Sequence, residues 1–444
     1  MRNHTHDAKD DCDVVIVGAG PSGASAAIHL ALGGARVVVL EAKKFPRHKL
    51  CGEFVSPECA SHFQRLGVAA SMNAATPVRI AETVFYSRRG RNVSVPSEWF
   101  ARNGGDAVAL GLSRSEMDAQ LLARARETGV EVREDAQATN VLLDAQGIAR
   151  GVRYRNANMT TAEIHARITL DATGRARAMG RAAERAARSF ARSENAMPPV
   201  RAIRERASLI AFKAHLAGAR GLVMNDSDAS SRASRCEIYF YDGGYGGLNN
   251  VEGDVSNVCF IVNAEDVRRC GGDAERVLRE VVFRNERARH TLAEARAVTP
   301  WLSVALESFG RCELAPAPGL LAIGDAASFI DPFTGSGMLM ALESGETAAR
   351  SISAWRHQSS ANATSRDGKH ALAALSSAYA ASYAERFDHR LRVCSYLRRA
   401  AFAPSFAIET AMTLLGLSTS VRRRFATATR GATRSERGFV IEEN

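Results

Sequence analysis

Lysine is scarce in this chain of 444 residues: 58 residues are basic, and all but six of them are arginines. The arginines are spread along the whole sequence, so the formal net charge of +10 does not build one basic arm or stripe. Nucleic-acid-binding proteins usually concentrate their basic residues on one face or in one segment. The composition therefore predicts no nucleic-acid partner, although a basic surface still attracts small anionic molecules.

Metal-binding and targeting patterns are also missing. The eight cysteines form no C-x-x-C pair and no cluster with histidine, which predicts no metal site and reduced thiols in a cytoplasmic compartment. Residues 1–13 are polar and lack the apolar core of an export signal. The longest apolar stretch, residues 400–421, contains Pro404, Ser405 and Glu409. We therefore expect no membrane-spanning helix, while peripheral contact with a membrane stays open.

A glycine-rich loop lies between two short runs of β-branched residues near the start of the chain. Residues 14–17 and 36–40 are typical of buried strands, and residues 22–32 are typical of a helix. The connecting residues 18–23 read Gly-Ala-Gly-Pro-Ser-Gly, the pattern with which a βαβ unit binds a dinucleotide pyrophosphate. Glu41 follows the second strand, where a carboxylate accepts hydrogen bonds from ribose hydroxyls. The predicted contacts are Gly18, Gly20, Pro21, Ser22, Gly23 and Glu41.

A second motif of this kind occurs much later in the chain. Residues 320–323 are typical of a buried strand, and the Gly-Asp pair after them places Asp325 at the carboxyl edge of a sheet, where ligands bind. Residues 335–337 of the segment 331–337 then open an apolar helix predicted over residues 335–355. The amide-rich N-terminus of such a helix stabilises negative charge, which suits a reduced flavin. The two motifs together predict a bound flavin dinucleotide.

This pair of motifs resembles the glutathione-reductase-type FAD fold, over residues 12–355. The similar branch contains para-hydroxybenzoate hydroxylase-like monooxygenases, geranylgeranyl reductases and flavin-dependent halogenases. The resemblance implies that Asp325 binds the ribityl or pyrophosphate part of FAD. It implies further FAD contacts at Arg47, Cys51, Gly52, Arg114, Ala138, Pro332, Gly335, Gly337 and Met338.

The expected fold is α/β: a Rossmann-type, glutathione-reductase-like FAD domain, a β-sheet substrate domain and C-terminal helices. The helices should break at Pro404 and Gly416. The predicted boundaries are residues 1–11 for a disordered tail, 12–180 and 310–360 for the FAD domain, 81–104 and 200–309 for the substrate sheet, and 361–444 for the helical extension.

Two segments favour the geranylgeranyl reductase-like members of the branch. Residues 171–174 read Asp-Ala-Thr-Gly, where the monooxygenases usually carry an Asp-Gly turn that serves both FAD and NAD(P)H. Residues 46–53 resemble the reductase segment whose Cys-Gly pair lies beside the flavin. FAD is therefore the expected cofactor, with NADPH or NADH as the reductant. Cys51 is a weak catalytic candidate, since a buried cysteine is usually inert.

An aromatic and glycine-rich segment covers residues 239–250. On a strand, alternation directs Tyr239 and Tyr241 to one face and the residue between them to the other. The resemblance implies that this segment covers the substrate side of the flavin, whereas an ordinary glycine-rich hairpin would bury the same side chains in a core. The predicted substrate pocket is apolar, and its residues are Phe54, Tyr239, Tyr241, Tyr245 and Phe333.

Several activities remain to be weighed. Halogenation would need a positioned lysine and a Trp-x-Trp pair, but no lysine lies between Cys51 and Phe212 and the three tryptophans are isolated. An iron–sulfur module is excluded because only Cys394 lies beyond residue 312. The intact Gly-Asp motif argues against the non-enzymatic prenyl-carrier escort proteins.

The remaining candidates are flavin-dependent oxidoreductases with different reactions. The sequence favours an NAD(P)H-linked monooxygenase or oxidase acting on an aromatic or lipophilic small molecule, plausibly in secondary metabolism. The alternative is a reductase or desaturase of an isoprenoid or another lipophilic substrate. No general acid or base is identified from the sequence, and His215, Asp242 and Tyr245 are the weak candidates.

Overall fold

The computed structural model describes residues 11–100, 108–193, 208–224, 233–306, 309–361 and 368–428. Its strands are β1 (Cys12–Val17), β2 (Val37–Leu40), β3 (Phe54–Val55), β4 (Val78–Tyr86), β5 (Asn92–Pro96), β6 (Ala109–Gly111), β7 (Glu131–Arg133), β8 (Gln137–Leu143), β9 (Ala149–Arg155), β10 (Thr161–Asp171), β11 (Leu209–Ala217), β12 (Ser234–Tyr241), β13 (Gly244–Val251), β14 (Val255–Asn263), β15 (Arg296–Ala297), β16 (Leu302–Leu306), β17 (Gly310–Arg311), β18 (Leu320–Ala322) and β19 (Ser328–Phe329).

The helices follow the same numbering along the chain. They are α1 (Pro21–Leu32), α2 (Cys59–Leu66), α3 (Ala69–Ala74), α4 (Arg114–Glu127), α5 (Ala178–Ser193), α6 (Ala264–Arg269), α7 (Ala274–Glu280), α8 (Glu286–Leu292), α9 (Gly337–Ala361), α10 (Gly368–Ala401), α11 (Ser405–Gly416) and α12 (Thr419–Ala428).

The first sheet is built on five parallel strands in the order β7-β2-β1-β10-β18. The first part of β10 also pairs with β9 in antiparallel fashion, and β9 pairs with β8. β2 consists of three valines and a leucine that are all buried, as expected for a parallel strand covered on both faces. These features confirm the predicted Rossmann-type α/β fold.

Helices α1 and α9 pack closely beside the first sheet. A Cβ atom on Gly345 would lie 2.4 Å from the carbonyl oxygen of Ser22, so only glycine permits this approach. The hydroxyl of Ser25 donates a hydrogen bond of 2.9 Å to the carbonyl of Leu342 on the facing helix. The two glycine motifs, far apart in sequence, are thereby held side by side.

The second sheet has ten strands, with the main order β15-β11-β14-β13-β12-β4-β6-β3. β5 pairs with β4 and β16 pairs with β11 at its margins. Every pairing is antiparallel except that of β12 with β4. The chain contributes to this sheet in two passes, first between residues 54 and 111 and again between residues 209 and 306.

The C-terminal helices break where the sequence predicts. α10 ends at Ala401, shortly before Pro404, and α11 ends at Gly416. The last turn of α10 and both later helices lie beside the second sheet and the hairpin of β4 and β5. Within the described ranges, no helix is long and apolar enough to cross a membrane.

Candidate functional site

One cavity of about 980 Å³ lies between the two sheets and beneath the C-terminal helices. Its first part is formed at the carboxyl ends of β1, β2 and β10, where ligands bind in open parallel sheets. Its second part is formed by β4, β12 and β14 of the second sheet. A single space therefore joins the glycine-rich loop to the aromatic segment.

The glycine-rich loop has the backbone geometry of a phosphate-binding turn. Gly18 has a φ of +105°, and a Cβ atom there would lie 2.4 Å from the carbonyl oxygen of Ala172. A Cβ atom on Gly23 would lie 1.9 Å from the carbonyl oxygen of Gly18, so this glycine sets how closely α1 approaches β1. Gly20 lines the cavity, and a Cβ atom there would lie no closer than 3.8 Å to another residue's side chain, that of Arg114. The N-terminus of α1 therefore faces the cavity.

Two arginines are held at this end of the cavity by one buried carboxylate. Arg114 donates to Asp118 through Nε and Nη2, both at 2.7 Å, and Arg47 Nη1 donates to the same carboxylate at 3.2 Å. Asp118 is fully buried, whereas both arginines line the cavity. The negative charge beside Arg114 holds its pKa above the ordinary value despite burial. Positive charge is thus fixed next to the loop.

Glu41 and Asp325 place two carboxylates in the same cavity. Glu41 accepts hydrogen bonds from the backbone amides of Ala19, at 2.9 Å, and Lys43, at 3.0 Å. Burial raises the pKa of Asp325, and the nearby charges of Arg175, Arg114 and Lys49 oppose that rise. Acceptors for hydroxyl groups therefore lie beside donors for phosphate.

The aromatic segment alternates as expected, but the opposite face points at the cavity. Phe240 lines the cavity, whereas Tyr239 and Tyr241 are buried on the other side of the second sheet. The hydroxyl of Tyr239 donates to Glu237 at 2.7 Å, and that of Tyr241 donates to the carbonyl of Ile261 at 3.0 Å. The prediction that Tyr239 and Tyr241 line the substrate pocket is therefore wrong, because the alternation was assigned to the wrong face.

The other three predicted pocket residues are at the cavity wall. Tyr245, Phe333 and Phe54 all line it. Phe333 lies with its ring centroid 5.5 Å from those of both Phe240 and Tyr245, and the Tyr245 hydroxyl donates to Asp331. Burial and the charge of Asp331 raise the pKa of Tyr245 well above its ordinary value, so its phenol stays protonated. These rings form one apolar wall.

The C-terminal helices close the cavity with aliphatic side chains. Leu397 and Ala401 of α10 line it, as do Ile408, Met412 and Leu415 of α11. The last three are spaced four and three residues apart, as on one face of a helix. Sequence analysis missed this wall, although the same spacing would have revealed it.

A buried charged cluster lies where the loop after Cys51 meets the second sheet. Glu53 has a φ of +52°. It is buried from solvent and is one of the residues around the cavity. Its Oε1 accepts from Lys213 Nζ at 2.9 Å and from the backbone N–H of Arg114 at 3.0 Å. Its Oε2 lies 2.6 Å from His215 Nε2. We call Glu53, Lys213 and His215 the Glu53 cluster.

The neighbours of Glu53 favour its ionised form. Burial would raise the pKa of Glu53, but hydrogen bonds and charges from His215 and Lys213 lower it below the ordinary value. The ring of His48, an exposed residue on the cavity lining, meets the His215 ring edge-on at a centroid distance of 5.7 Å. An exposed imidazole therefore lies between the cluster and solvent.

The sequence carried a signal for this cluster. Lys213 and His215 are two residues apart on a strand of otherwise apolar residues, so both point to the same face. A buried lysine requires a nearby counter-charge. His215 was among the weak acid–base candidates, whereas Glu53 and Lys213 were not.

Two other residues that the sequence offered as catalytic candidates are Cys51 and Asp242. Burial raises the pKa of the Cys51 thiol, which keeps it neutral and weakly nucleophilic, and its sulfur accepts from the Glu53 amide at 3.4 Å. Asp242 pairs with Arg88 on the surface and is not among the residues that line the cavity. Cys51 is therefore part of the wall, and Asp242 lies apart from it.

Comparison with known proteins agrees with this geometry. Residues 11–359 match the model of the FAD binding domain family. The chain belongs to this family. As an FAD-dependent oxidoreductase, it contains the FAD-binding fold that the two glycine motifs predicted.

Two relatives with broad coverage are named as reductases. A digeranylgeranylglycerophospholipid reductase of Methanopyrus kandleri is 27% identical over 345 residues, 77% of each chain. A menaquinone reductase of Mycobacterium tuberculosis is 29% identical over 351 residues, 77% of this chain and 76% of that protein. A menaquinone reductase of Mycolicibacterium smegmatis is 32% identical over 146 residues, and this match spans about a third of each protein, 33% of this chain and 34% of that one.

Solved structures share the fold at low identity. A geranylgeranyl bacteriochlorophyll reductase-like protein from Thermoplasma acidophilum has a TM-score of 0.69 at 20% identity, covering 94% of this chain and 96% of that one. The flavin-dependent brominase Bmp2 has a TM-score of 0.67 at 18% identity, covering 94% of both chains. Both reductase and halogenase structures therefore share this architecture, and the fold alone does not choose between them.

The residues at the first part of the cavity fit FAD in this FAD-binding protein. The open loop at Gly20 and the arginines held by Asp118 suit a pyrophosphate, and the carboxylates suit hydroxyl groups. Of the residues predicted to contact FAD, only Gly23 does not border the cavity, because it supports the loop from behind. The others are Gly18, Gly20, Pro21, Ser22, Glu41, Arg47, Cys51, Gly52, Arg114, Ala138, Asp325, Pro332, Gly335, Gly337 and Met338.

Proposed function

We propose that this FAD-dependent oxidoreductase reduces a carbon–carbon double bond in a lipophilic substrate with a prenyl-type chain. The observation that carries the proposal is the second part of the cavity, where the aromatic wall and the C-terminal helices enclose an almost entirely apolar space. A polar or charged substrate would lose its hydration there without compensation. The names of the two relatives with broad coverage, which refer to a prenyl lipid and to menaquinone, support the same substrate class.

Reduction of a double bond adds a hydride to one carbon and a proton to the other. Reduced FAD supplies the hydride when it is bound, and we propose NADPH or NADH as the source of its two electrons. The apolar wall orients the alkene and excludes water. Glu53 borders the same cavity, and we propose that the Glu53 cluster supplies the proton.

The proposed proton path begins with the hydrogen bonds inside the Glu53 cluster. His215 Nε2 and Lys213 Nζ both hydrogen bond to the Glu53 carboxylate, so a proton can pass from either donor to a glutamate oxygen beside the cavity. We propose that His48, which is exposed and has its ring centroid 5.7 Å from that of His215, exchanges protons between solvent and the cluster. Arg114 holds the carboxylate in place through its backbone amide.

The hydroxylase reaction and the cytoplasmic location, both expected from the sequence, stay proposals. An oxygen-dependent hydroxylase would use the same cavity and cofactor, and we retain it as the second outcome of the test. None of the eight cysteines, all of which lie in the described ranges, forms a disulfide, and this supports the proposal of a reducing, cytoplasmic location.

The experiment uses the FAD-loaded protein with NADPH or NADH and a panel of prenylated quinones and phospholipids. Without oxygen, mass spectrometry of the fragmented product should show two added hydrogen atoms in the prenyl chain, which remain there after any quinol is reoxidised to the quinone. A product that gains one oxygen atom, and only in air, would replace the reductase by the hydroxylase. Reduction of polar aromatic substrates alone would contradict the assignment of a lipophilic chain.

A further inference from the structure

Helix α11 has two apolar faces. One face, which includes Ile408, Met412 and Leu415, lines the cavity. Phe406, Leu414 and Leu417, the last just beyond the end of α11, lie on the other side, with 75%, 61% and 78% of their surface exposed. These positions are eight and three residues apart, so they form one stripe along the helix. Large apolar side chains gathered on an outer face indicate contact with another apolar phase or partner.

The next helix, α12, begins with another exposed apolar side chain. Val421 is 51% exposed, and Arg424, three residues later on the same face of the helix, is exposed as well. We call Phe406, Leu414, Leu417 and Val421 the outer stripe. It covers the far side of the helix that roofs the cavity.

Basic side chains border the outer stripe. Arg91, at the hairpin of β4 and β5, is exposed and donates to Thr413 of α11 at 2.6 Å. Glu409, the acidic residue of this helix, is bound by Arg91 and by the backbone amide of Arg89, so its charge is matched. Arg423 is exposed beside Arg424. Because Arg91 and Glu409 neutralise each other, the positive charge beside the outer stripe is that of Arg423 and Arg424. Apolar side chains next to these two arginines are complementary to a lipid surface with anionic headgroups.

We propose that the outer stripe docks on an anionic lipid bilayer and that α11 lies in the plane of its surface. This inference rests on the proposed function, since a prenyl-type substrate resides in a bilayer. Docking through the outer stripe puts the roof of the cavity against the phase that holds the substrate. A helix of twelve residues rises about 18 Å, which suits a position along the interface instead of across it.

The test measures binding of the full-length, FAD-loaded protein to vesicles by co-sedimentation. Vesicles of phosphatidylcholine with about 30% phosphatidylglycerol should bind the protein, and vesicles of phosphatidylcholine alone should bind it more weakly. The double substitution Phe406→Ser with Leu417→Ser should lower the vesicle partition coefficient at least about tenfold. Arg424→Glu should lower binding only to the anionic vesicles, and added salt should have the same effect.

Leu32→Ser is the matched control, because Leu32 is 57% exposed at the end of α1, away from the outer stripe. It should leave binding unchanged. FAD content and melting temperature establish that each variant is folded, and Phe406→Ser alone serves if the double variant is not. Equal binding by the double variant and the wild type would overturn the docking assignment. Absence of binding by the wild type, or a wild-type dimer that the double substitution separates, would also overturn it.

The outcomes for docking and for the proposed function are distinct. The double variant should reduce a detergent-dispersed prenyl substrate at the wild-type rate, since the outer stripe does not line the cavity. Reduction in detergent without vesicle binding would remove the docking surface and keep the activity. Vesicle binding without reduction of any lipophilic substrate would contradict the proposed activity and leave the docking surface standing.

Discussion

Glu53 is the residue at which the FAD-binding loop, the second sheet and the cavity meet. Glu53→Gln keeps the size of the side chain but removes the charge that Lys213 and His215 share. We expect turnover to fall at least about a hundredfold if proton supply is lost, since general acid catalysis contributes about 10²–10⁴-fold. The bound FAD should remain, and the pH dependence of turnover should change, which a purely structural role would not cause.

A second variant separates proton supply from stability. Removing one partner of a buried ion pair costs about 3–5 kcal/mol, so Glu53→Gln should also lower the melting temperature. Combining it with Lys213→Met removes both charges and should recover much of that stability. Turnover should stay low in the double variant. Recovery of turnover together with stability would show that the cluster only supports the fold.

Asp325 should contribute directly to FAD affinity. Asp325→Ala should weaken FAD binding by about 1.5–3 kcal/mol, the scale of a lost hydrogen bond to a charged group. Asp242→Ala is the control, because this carboxylate lies outside the cavity. Titration of the apoprotein with FAD, followed by flavin fluorescence, measures both. Wild-type affinity in Asp325→Ala would contradict the assigned contact.

At the scale of the element, α11 should set the length of substrate that fits. Met412 is buried and lines the roof of the cavity. Met412→Trp adds bulk there, so short-chain substrates should retain turnover while the apparent affinity for long-chain substrates falls about tenfold or more. Thr410→Val changes an exposed position of the same helix and should leave the chain-length profile unchanged. An identical profile in Met412→Trp would show that the chain lies elsewhere.

The sequence predicted the helices and strands better than it predicted which face of each one points at the cavity. The βαβ unit at the start of the chain and the helix breaks near Pro404 and Gly416 have local causes, namely glycine turns and proline, and the structure confirms them. Alternation on β12 also has a local cause, but the choice of cavity face depends on which helices cover the sheet. Tyr239 and Tyr241 were therefore placed on the wrong side. Glu53 and Lys213 meet only through folding, 160 residues apart in sequence.

At the scale of the whole molecule, a buried ionic cluster joins three helices. Glu343 on α9 accepts hydrogen bonds from Arg386 and Arg390 of α10, both at 2.8 Å, and lies near His62 of α2. Burial would raise the pKa of Glu343, but the nearby His62 and the charges of the two arginines lower it to about 2, against an ordinary value of 4.5. The cluster ties the C-terminal helices to the FAD-binding part.

This cluster should make unfolding sensitive to acid. A lowered pKa contributes stability that is present above pH 4.5 and is lost as the pH falls toward 2. The full contribution is on the order of 3 kcal/mol. Glu343→Gln should be less stable than the wild type at neutral pH and should lose less stability over that acid range. Glu127→Gln, at an exposed site, is the control. Denaturant unfolding at several pH values would contradict the role if both variants followed the wild type.

The parallel contact between β12 and β4 has a consequence for how the chain acquires its structure. Ser234 to Tyr239 pair with Ile80 to Tyr86, so the two passes of the chain through the second sheet are joined at its centre. Most strands of the first sheet and all of α5 come between these passes in sequence. Contacts between distant segments slow folding because a long loop must close before they form. The two sheets are therefore not separable by one cut, and neither should form alone from a contiguous fragment of the chain.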